Sequence, residues 1–235
     1  MSRQGIDRPR WENVINVLED ILPYYEKLNM LNTLGRLDKW RRAAAGLSSE
    51  DDVVLEIGPG SGGFARILCY QKLFCLDPSK GILEYTKRQL NGKDVGLIGG
   101  IAENLPFADG TFDIVFCIFS FRDFMSKSDG LREINRVLRE NGRICVVDVS
   151  LPEDGLLKGL VNVHVYKVAP RLSALALPRS RREDWISKGY PSLLETLESF
   201  GSANQYPDMF KDAGFSDVEL RFLSARSAFM MTGVK

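Results

Sequence analysis

Residues 52–63 read Asp-Val-Val-Leu-Glu-Ile-Gly-Pro-Gly-Ser-Gly-Gly, and no other stretch restricts the fold as much. Asp52–Ile57 is a short apolar run of the kind a parallel sheet buries on both faces. It empties into a loop with glycines at 58, 60, 62 and 63. Glycine permits a tight turn and a close approach of backbone to a ligand. A helix is expected to leave the loop at Phe64 and run to Tyr70. Further buried strands are expected at Leu73–Leu76, Val95–Ile98, Phe112–Phe119 and Ile144–Val149. Helical patterns at Gly81–Leu90 and Gly130–Arg139 lie between them. Strands alternating with helices spell βαβ units, and right-handed crossovers put helices on both faces of a parallel sheet.

The flanks follow another rhythm. Residues 10–22 place Trp11, Val14, Ile15, Leu18, Ile21 and Leu22 on one helical face, and Pro23 is expected to stop that helix. A second helix is expected over 33–46. Leu151–Pro191 is apolar with scattered Lys and Arg and reads as an inserted helical lid. Helix signals return at Ser192–Phe200 and Pro207–Ala213, with Gly214 placed as a C-cap. Ser216–Phe222 and Ser227–Gly233 read as a closing antiparallel pair. One α/β domain is expected: an arm (1–48), a βαβ core (49–150), a lid (151–190) and closing elements (191–235).

Composition excludes several classes. The 235 residues carry 31 Lys+Arg against 31 Asp+Glu. Nucleic-acid binders usually show a basic excess, so no nucleic-acid partner is expected. No apolar run approaches the ~20 residues that span a bilayer. Met1–Trp11 has no apolar leader core, which points to a cytoplasmic location. Cys69, Cys75, Cys117 and Cys145 form no CxxC pair, and His164 is the single histidine. A metal cluster is therefore not expected, and the cysteines read as reduced core thiols.

The loop leads to a ligand class. Free N–H groups at a helix start favour an anionic group. Asp77 ends the second strand, where a carboxylate accepts from ribose hydroxyls. Gly58, Gly60 and Gly63 also satisfy GxGxxG, so the pattern alone admits a dinucleotide such as NAD. Glu56 argues the other way: an acid two residues before the first glycine repels a pyrophosphate and suits an ammonium. S-adenosylmethionine meets these demands. Its ribose would meet Asp77, its carboxylate the loop around Gly58, Gly60, Ser61 and Gly62, and its ammonium Glu56.

The chain then resembles a family. Tyr25-Glu26-Lys27-Leu28-Asn29, Thr33, Gly35 and Trp40 stand at the spacing of the N-terminal motif of ubiquinone/menaquinone-biosynthesis C-methyltransferases. Ala102-Glu103-Asn104-Leu105-Pro106-Phe107, Phe121-Arg122-Asp123 and Arg136–Arg143 match further motifs. The resemblance covers about residues 14–235. It implies a Rossmann-like class I methyltransferase fold: a mostly parallel seven-stranded sheet with helices on both faces, a helical N-terminal arm and a helical lid. It also implies S-adenosylmethionine as cofactor, S-adenosylhomocysteine as product, and a small lipophilic acceptor of the demethylmenaquinol type. Other small-molecule acceptors, or a non-catalytic cofactor-binding role, are the alternatives. The chain departs from the family pattern at Leu37 (family His), Asp123 (family Asn), Asp148 (family Glu) and Arg226 (family Gly). These changes are expected on the acceptor side.

Carbon methylation of a quinol needs alignment, a dry pocket and a polarised hydroxyl. Arg122 follows the fourth strand, at the carboxyl edge where open α/β sheets bind ligands. It is the candidate for holding the phenolate, with Asp123 orienting it or taking the proton; a loop salt bridge is the plainer reading. Tyr25 is a candidate for closing over the methyl group, and Asn29 for touching the acceptor. Ile101, Ala102 and Ile118 stand where this fold contacts adenine, or are simple core. His164 shares a lid face with Leu157, Leu160 and Val161, which packs or meets the acceptor. Leu156, Leu157, Leu160, Val161, Val165 and Val168 read as core packing, or as a channel for a prenyl tail. Arg179, Arg181 and Arg182 read as a solvated face, with transient contact to anionic lipid as the alternative. A homodimer is admitted.

Overall fold

The strand that opens the glycine loop lies in the interior of the sheet. In the computed structural model, which describes residues 6–235, β1 (Val53–Ile57) is buried along nearly its whole length. Residues 1–5, where the expected arm begins, lie outside the described residues. β2 (Lys72–Asp77) and β4 (Phe112–Ile118) flank β1 in parallel, followed outward by β3 (Val95–Gly99) and β5 (Leu138–Val149). The last pair, β6 (Ser216–Leu223) and β7 (Ala228–Val234), is antiparallel, with β7 docked on β5. The seven-stranded order is β3-β2-β1-β4-β5-β7-β6. The chain reverses its direction of travel between β1 and β4, which opens a crevice at their carboxyl ends.

Side-chain alternation divides the core. Leu55 and Ile57 point to one face, with Leu131 and Ile134 of α5 (Lys127–Val137). Val54 points to the other, with Leu37 and Trp40 of α3 (Leu37–Ala45). Helix α4 (Lys80–Gln89) starts at Ser79, whose hydroxyl accepts from the Ile82 amide at 2.9 Å.

Three sequence expectations are corrected. The helix after the glycine loop is only a short turn, Ala65–Ile67, because Leu68 is already extended at φ −70°, ψ 143°. Pro23 follows the end of α1 (Arg8–Ile21), as expected. It sits in a tight turn, Leu22–Tyr24, that leads into α2 (Tyr25–Asn32), which the sequence pattern did not mark. Proline is tolerated there because the first positions of a turn need no N–H donor. β5 begins at Leu138 rather than Ile144, since Leu138 pairs with Phe112 before the register shifts. Cys69 is exposed, whereas Cys75, Cys117 and Cys145 are buried thiols. Cys69 follows the buried Leu68, where the chain leaves the short turn, and no helix carries its side chain inward.

Residues 155–200 are helical: α6 (Gly155–Val163), a wide turn His164–Val168, α7 (Ala169–Ala174), α8 (Arg182–Asp184), a second wide turn Trp185–Gly189, and α9 (Tyr190–Phe200). Ile21 and Leu28 of the arm pack with Ala174, Leu177 and Trp185. The Trp185 indole donates to Ser173 Oγ at 2.9 Å, which satisfies a buried polar atom inside that contact. Helix α10 (Tyr206–Asp212) precedes β6. Among the described residues, no helix is long and apolar enough to cross a membrane.

Candidate active site

Two cavities meet at the crevice between β1 and β4. The first is lined by Gly58, Gly60, Asp77, Ile101 and Ala102, and it is roofed by Trp11, Val14 and Leu18 of α1 and by Tyr25. Gly58 has φ +73°, and a Cβ there would come within 2.5 Å of Ser120 Cβ. Ser120 in turn donates to the Ile57 carbonyl at 2.6 Å. Gly60, at φ +54°, faces the Tyr25 ring, and Thr86 Oγ1 donates to its carbonyl at 2.8 Å.

Four of the expected cofactor residues do not line this cavity. Glu56 is 1% exposed and lies on the opposite face of β1, with Cys75 Sγ at 3.9 Å. Strand alternation places it there, beside Val54 rather than Ile57. Burial pushes its carboxyl up to about 7, against the pull of Arg41. The Ser61 hydroxyl donates to Glu26, which Arg41 holds at 2.6 and 3.1 Å. Gly62 packs on Thr86 and Leu90, behind the loop. Ile118 is core, and Phe119 takes its place on the wall.

Asp77 is 5% exposed, and among the described residues its one hydrogen-bond donor is the Ser79 amide at 2.9 Å. Burial pushes it up to about 7, and Glu19 and Asp123 add to the rise. A buried carboxylate with no cation beside it is stabilised by neutral donors such as a sugar diol.

The second cavity, of about 440 Å³, is mostly apolar. Leu157, Leu160, Val161 and Val165 line one side, and Leu193 and Leu197 of α9 another. Leu37 and Trp40 form its floor. Its polar groups include Arg122, Asn29 and His164. His164 Nε2 lies 2.8 Å from the Asn32 carbonyl and so ties the insertion to the end of α2. Burial pushes the Tyr25 hydroxyl up, against the pull of Arg122 and Asn29. Phe119 walls both cavities. Its φ of +63° is rare for a bulky residue and marks local strain.

Arg122 and Asp123 occupy the boundary. Asp123 faces the first cavity and Arg122 the second. Asp148, at the end of β5, is the main partner of Arg122, with Nη1–Oδ1 at 2.8 Å. Asp123 Oδ1 is farther, 3.6 Å from Nε, and both of those atoms are buried without a hydrogen-bond partner. Burial opposes the guanidinium charge, but Asp148 and Asp123 outweigh it and hold Arg122 above its ordinary range. Burial pushes Asp123 up to about 6, with Arg122 pulling back. Lys127, brought down to about 8 by burial, donates to the Arg122 carbonyl at 3.1 Å.

Residues 7–235 match the ubiE/COQ5 methyltransferase family. The chain belongs to that family. A demethylmenaquinone methyltransferase of Clavibacter sepedonicus is 29% identical, over 93% of this chain and 89% of that protein. One of Lactiplantibacillus plantarum is also 29% identical, over 95% and 96%. A solved SAM-dependent methyltransferase from Thermotoga maritima shares the fold, with TM-score 0.62, 20% identity, and 94% and 99% covered. This ubiE/COQ5 family member is an S-adenosylmethionine-dependent methyltransferase, and the dinucleotide alternative falls.

The first cavity combines the sparsely partnered Asp77 carboxyl with the apolar Ile101 and Ala102, the kind of lining such a cofactor requires. Sequence reading marked Asp148 only as a departure and missed its ion pair with Arg122. It also missed the Glu26–Arg41–Ser61 link, Lys127 and the arm roof. The sign available for Asp148 was an acid inside an apolar run, Ile144–Val149. Of the other departures, Leu37 lines the acceptor cavity, while Arg226 is exposed and stacks over the Phe222 ring at 4.7 Å.

Proposed function

We propose that this methyltransferase alkylates a ring carbon of a small lipophilic quinol of the demethylmenaquinol type. The observation that carries the reading is Arg122, a buried cation anchored by Asp148 where a large apolar cavity meets the cofactor cavity. The names of the relatives from Clavibacter sepedonicus and Lactiplantibacillus plantarum support the acceptor class.

Bound S-adenosylmethionine supplies an electrophilic methyl group on a sulfonium. The chain supplies the rest. Arg122 holds the negative charge that grows on the acceptor hydroxyl, and this makes the neighbouring ring carbon nucleophilic. A fixed donor at such a site contributes about 3–4 kcal/mol. Asp123 takes the hydroxyl proton, a role suited to a carboxyl near 6. As the ring carbon takes the methyl group, the bond from methyl to sulfur breaks. The same carbon then gives up its own hydrogen as a proton to solvent, and the hydroxyl regains its proton from Asp123. Tyr25, over Gly60, closes the cofactor side, and Asn29 and His164 bound the acceptor. Glu56, Ser61 and Gly62 support the loop from behind. In this proposal the arm (1–48) covers the cofactor, and residues 151–190 serve as a lid over the acceptor. A cytoplasmic location with transient contact to the membrane surface, and a homodimeric state, complete it.

The test is transfer of an isotope-labelled methyl group to a short-chain demethylmenaquinol under reducing conditions, read by mass spectrometry. Label on the ring carbon is expected. Label on oxygen, or none with the cofactor bound, overturns the reading. A second reading, a small-molecule acceptor of another pathway, is favoured by Leu37 on the cavity wall, where the family motif has a histidine.

A further inference from the structure

The insertion carries an apolar stripe with nothing packed on it. Leu156, Leu160 and Val163 recur at i, i+4 and i+7 on α6 and are 82%, 60% and 52% exposed. Leu34, on the turn between α2 and α3, is 64% exposed. Leu34 and Leu160 both also line the acceptor cavity, so the stripe forms the rim of its mouth. A soluble surface rarely gathers such residues without a use.

Charge identifies what fits. Arg36, which lines the cavity mouth, and Lys167 and Arg171, beyond α6 on the insertion, are exposed. Arg171 bonds only to the Lys167 carbonyl, and none of the three pairs with a carboxylate among the described residues. Of the acids on the same segment, Glu153 accepts from Asn204, Glu198 accepts from Tyr166, and Asp154 stands before the first turn of α6. Apolar side chains on one face with cations at its border match an anionic bilayer, where the side chains enter the acyl boundary and the cations meet headgroups. Of the cluster singled out in the sequence, Arg181 is paired with Asp20 and Arg182 donates to the Leu177 carbonyl at 3.1 Å, while Arg179 is exposed.

We propose that the exposed face of α6, with Leu34 across the cavity mouth, docks the enzyme on an anionic lipid bilayer, so that a membrane-held acceptor enters the cavity directly. The proposal rests on the lipophilic-quinol reading, but its test needs no acceptor. The full chain is floated with phosphatidylcholine vesicles, with and without phosphatidylglycerol. The wild type is expected to bind the anionic vesicles preferentially. Leu156→Asp/Val163→Asp, at positions outside the cavity wall, is expected to lose at least about tenfold of the bound fraction. Its thermal melt and its transfer to a water-soluble short-chain acceptor are expected to stay unchanged. Lys167→Glu/Arg171→Glu is expected to abolish the preference for anionic lipid. Wild type that fails to float, or a Leu156/Val163 variant that floats equally well, overturns the proposal. So does a dimer, seen by sedimentation, that the same variant dissociates without any vesicle binding.

Discussion

Asp148 grips Arg122 at two points: Oδ1 lies 2.8 Å from Nη1, and Oδ2 accepts the Arg122 amide at 3.1 Å. Asp148 is fully buried, and Oδ1 also accepts the Val149 amide at 2.8 Å. The grip fixes both the guanidinium and the turn that carries it. Asp148→Ala leaves a buried cation with only the more distant Asp123. Breaking one side of a buried pair costs about 3–5 kcal/mol. Thermal melting should fall by roughly 2–4 °C per kcal/mol for a chain of this size. A variant that melts like the wild type would remove Asp148 from the architecture of the site.

Arg122→Ala tests the charge directly. Turnover should fall by about 10²–10³-fold, the usual effect of losing one donor at a developing anion. Affinity for S-adenosylmethionine should change little, since Arg122 faces the acceptor cavity. Loss of cofactor binding with normal turnover of what remains bound would reassign the residue.

Two carboxyls make the enzyme sensitive to pH in distinct ways. Asp77 is pushed up to about 7 by burial, and its ionised form accepts from the ribose diol. Cofactor affinity should therefore fall as pH drops below about 7, by at most about tenfold per unit. Asp77→Asn should bind weakly and lose most of this dependence. Calorimetric titration across pH 5 to 8, a window set by Asp77 at about 7, measures both.

Asp123 is pushed up to about 6, and as a base it works ionised. Turnover with saturating substrates should rise with pH through that value, and Asp123→Asn should flatten the limb. The linkage to stability has the opposite sign. The folded-state value is raised above the ordinary carboxyl, so the contribution is full below about 4 and is lost as pH rises through about 6. Activity and stability should thus move apart over that window, and a melt series beside a rate profile shows it.

Gly58→Ala tests the loop. A side chain at φ +73° costs about 1–2 kcal/mol, and its Cβ would strike Ser120. Cofactor affinity and melting temperature should fall together, and restoring the space with Ser120→Gly should recover part of both.

Most strands were legible because burial in a parallel sheet leaves a local apolar run, as in Asp52–Ile57 and Phe112–Phe119. Helix α2 was not: Tyr25–Asn32 is short and mixed, and only Leu28 of it is buried. The helix expected at Phe64–Tyr70 stops after one turn because Leu68 is extended, with ψ 143°. The motif residues Arg122, Asp77 and Gly60 could be read as a site from their place after strands. The partnership of Arg122 with Asp148 spans 26 residues and depends on the β4–β5 register, which pairs Ile118 with Val147. Glu56 was misplaced because chemistry was read from its type, while alternation along β1 turned it to the other face.

The arm touches both cavities: Trp11, Val14 and Leu18 roof one, and Asn29, Leu37 and Trp40 wall the other. One continuous segment therefore roofs one compartment and walls the other, so a displacement of the arm that widens the first cavity also reshapes the second.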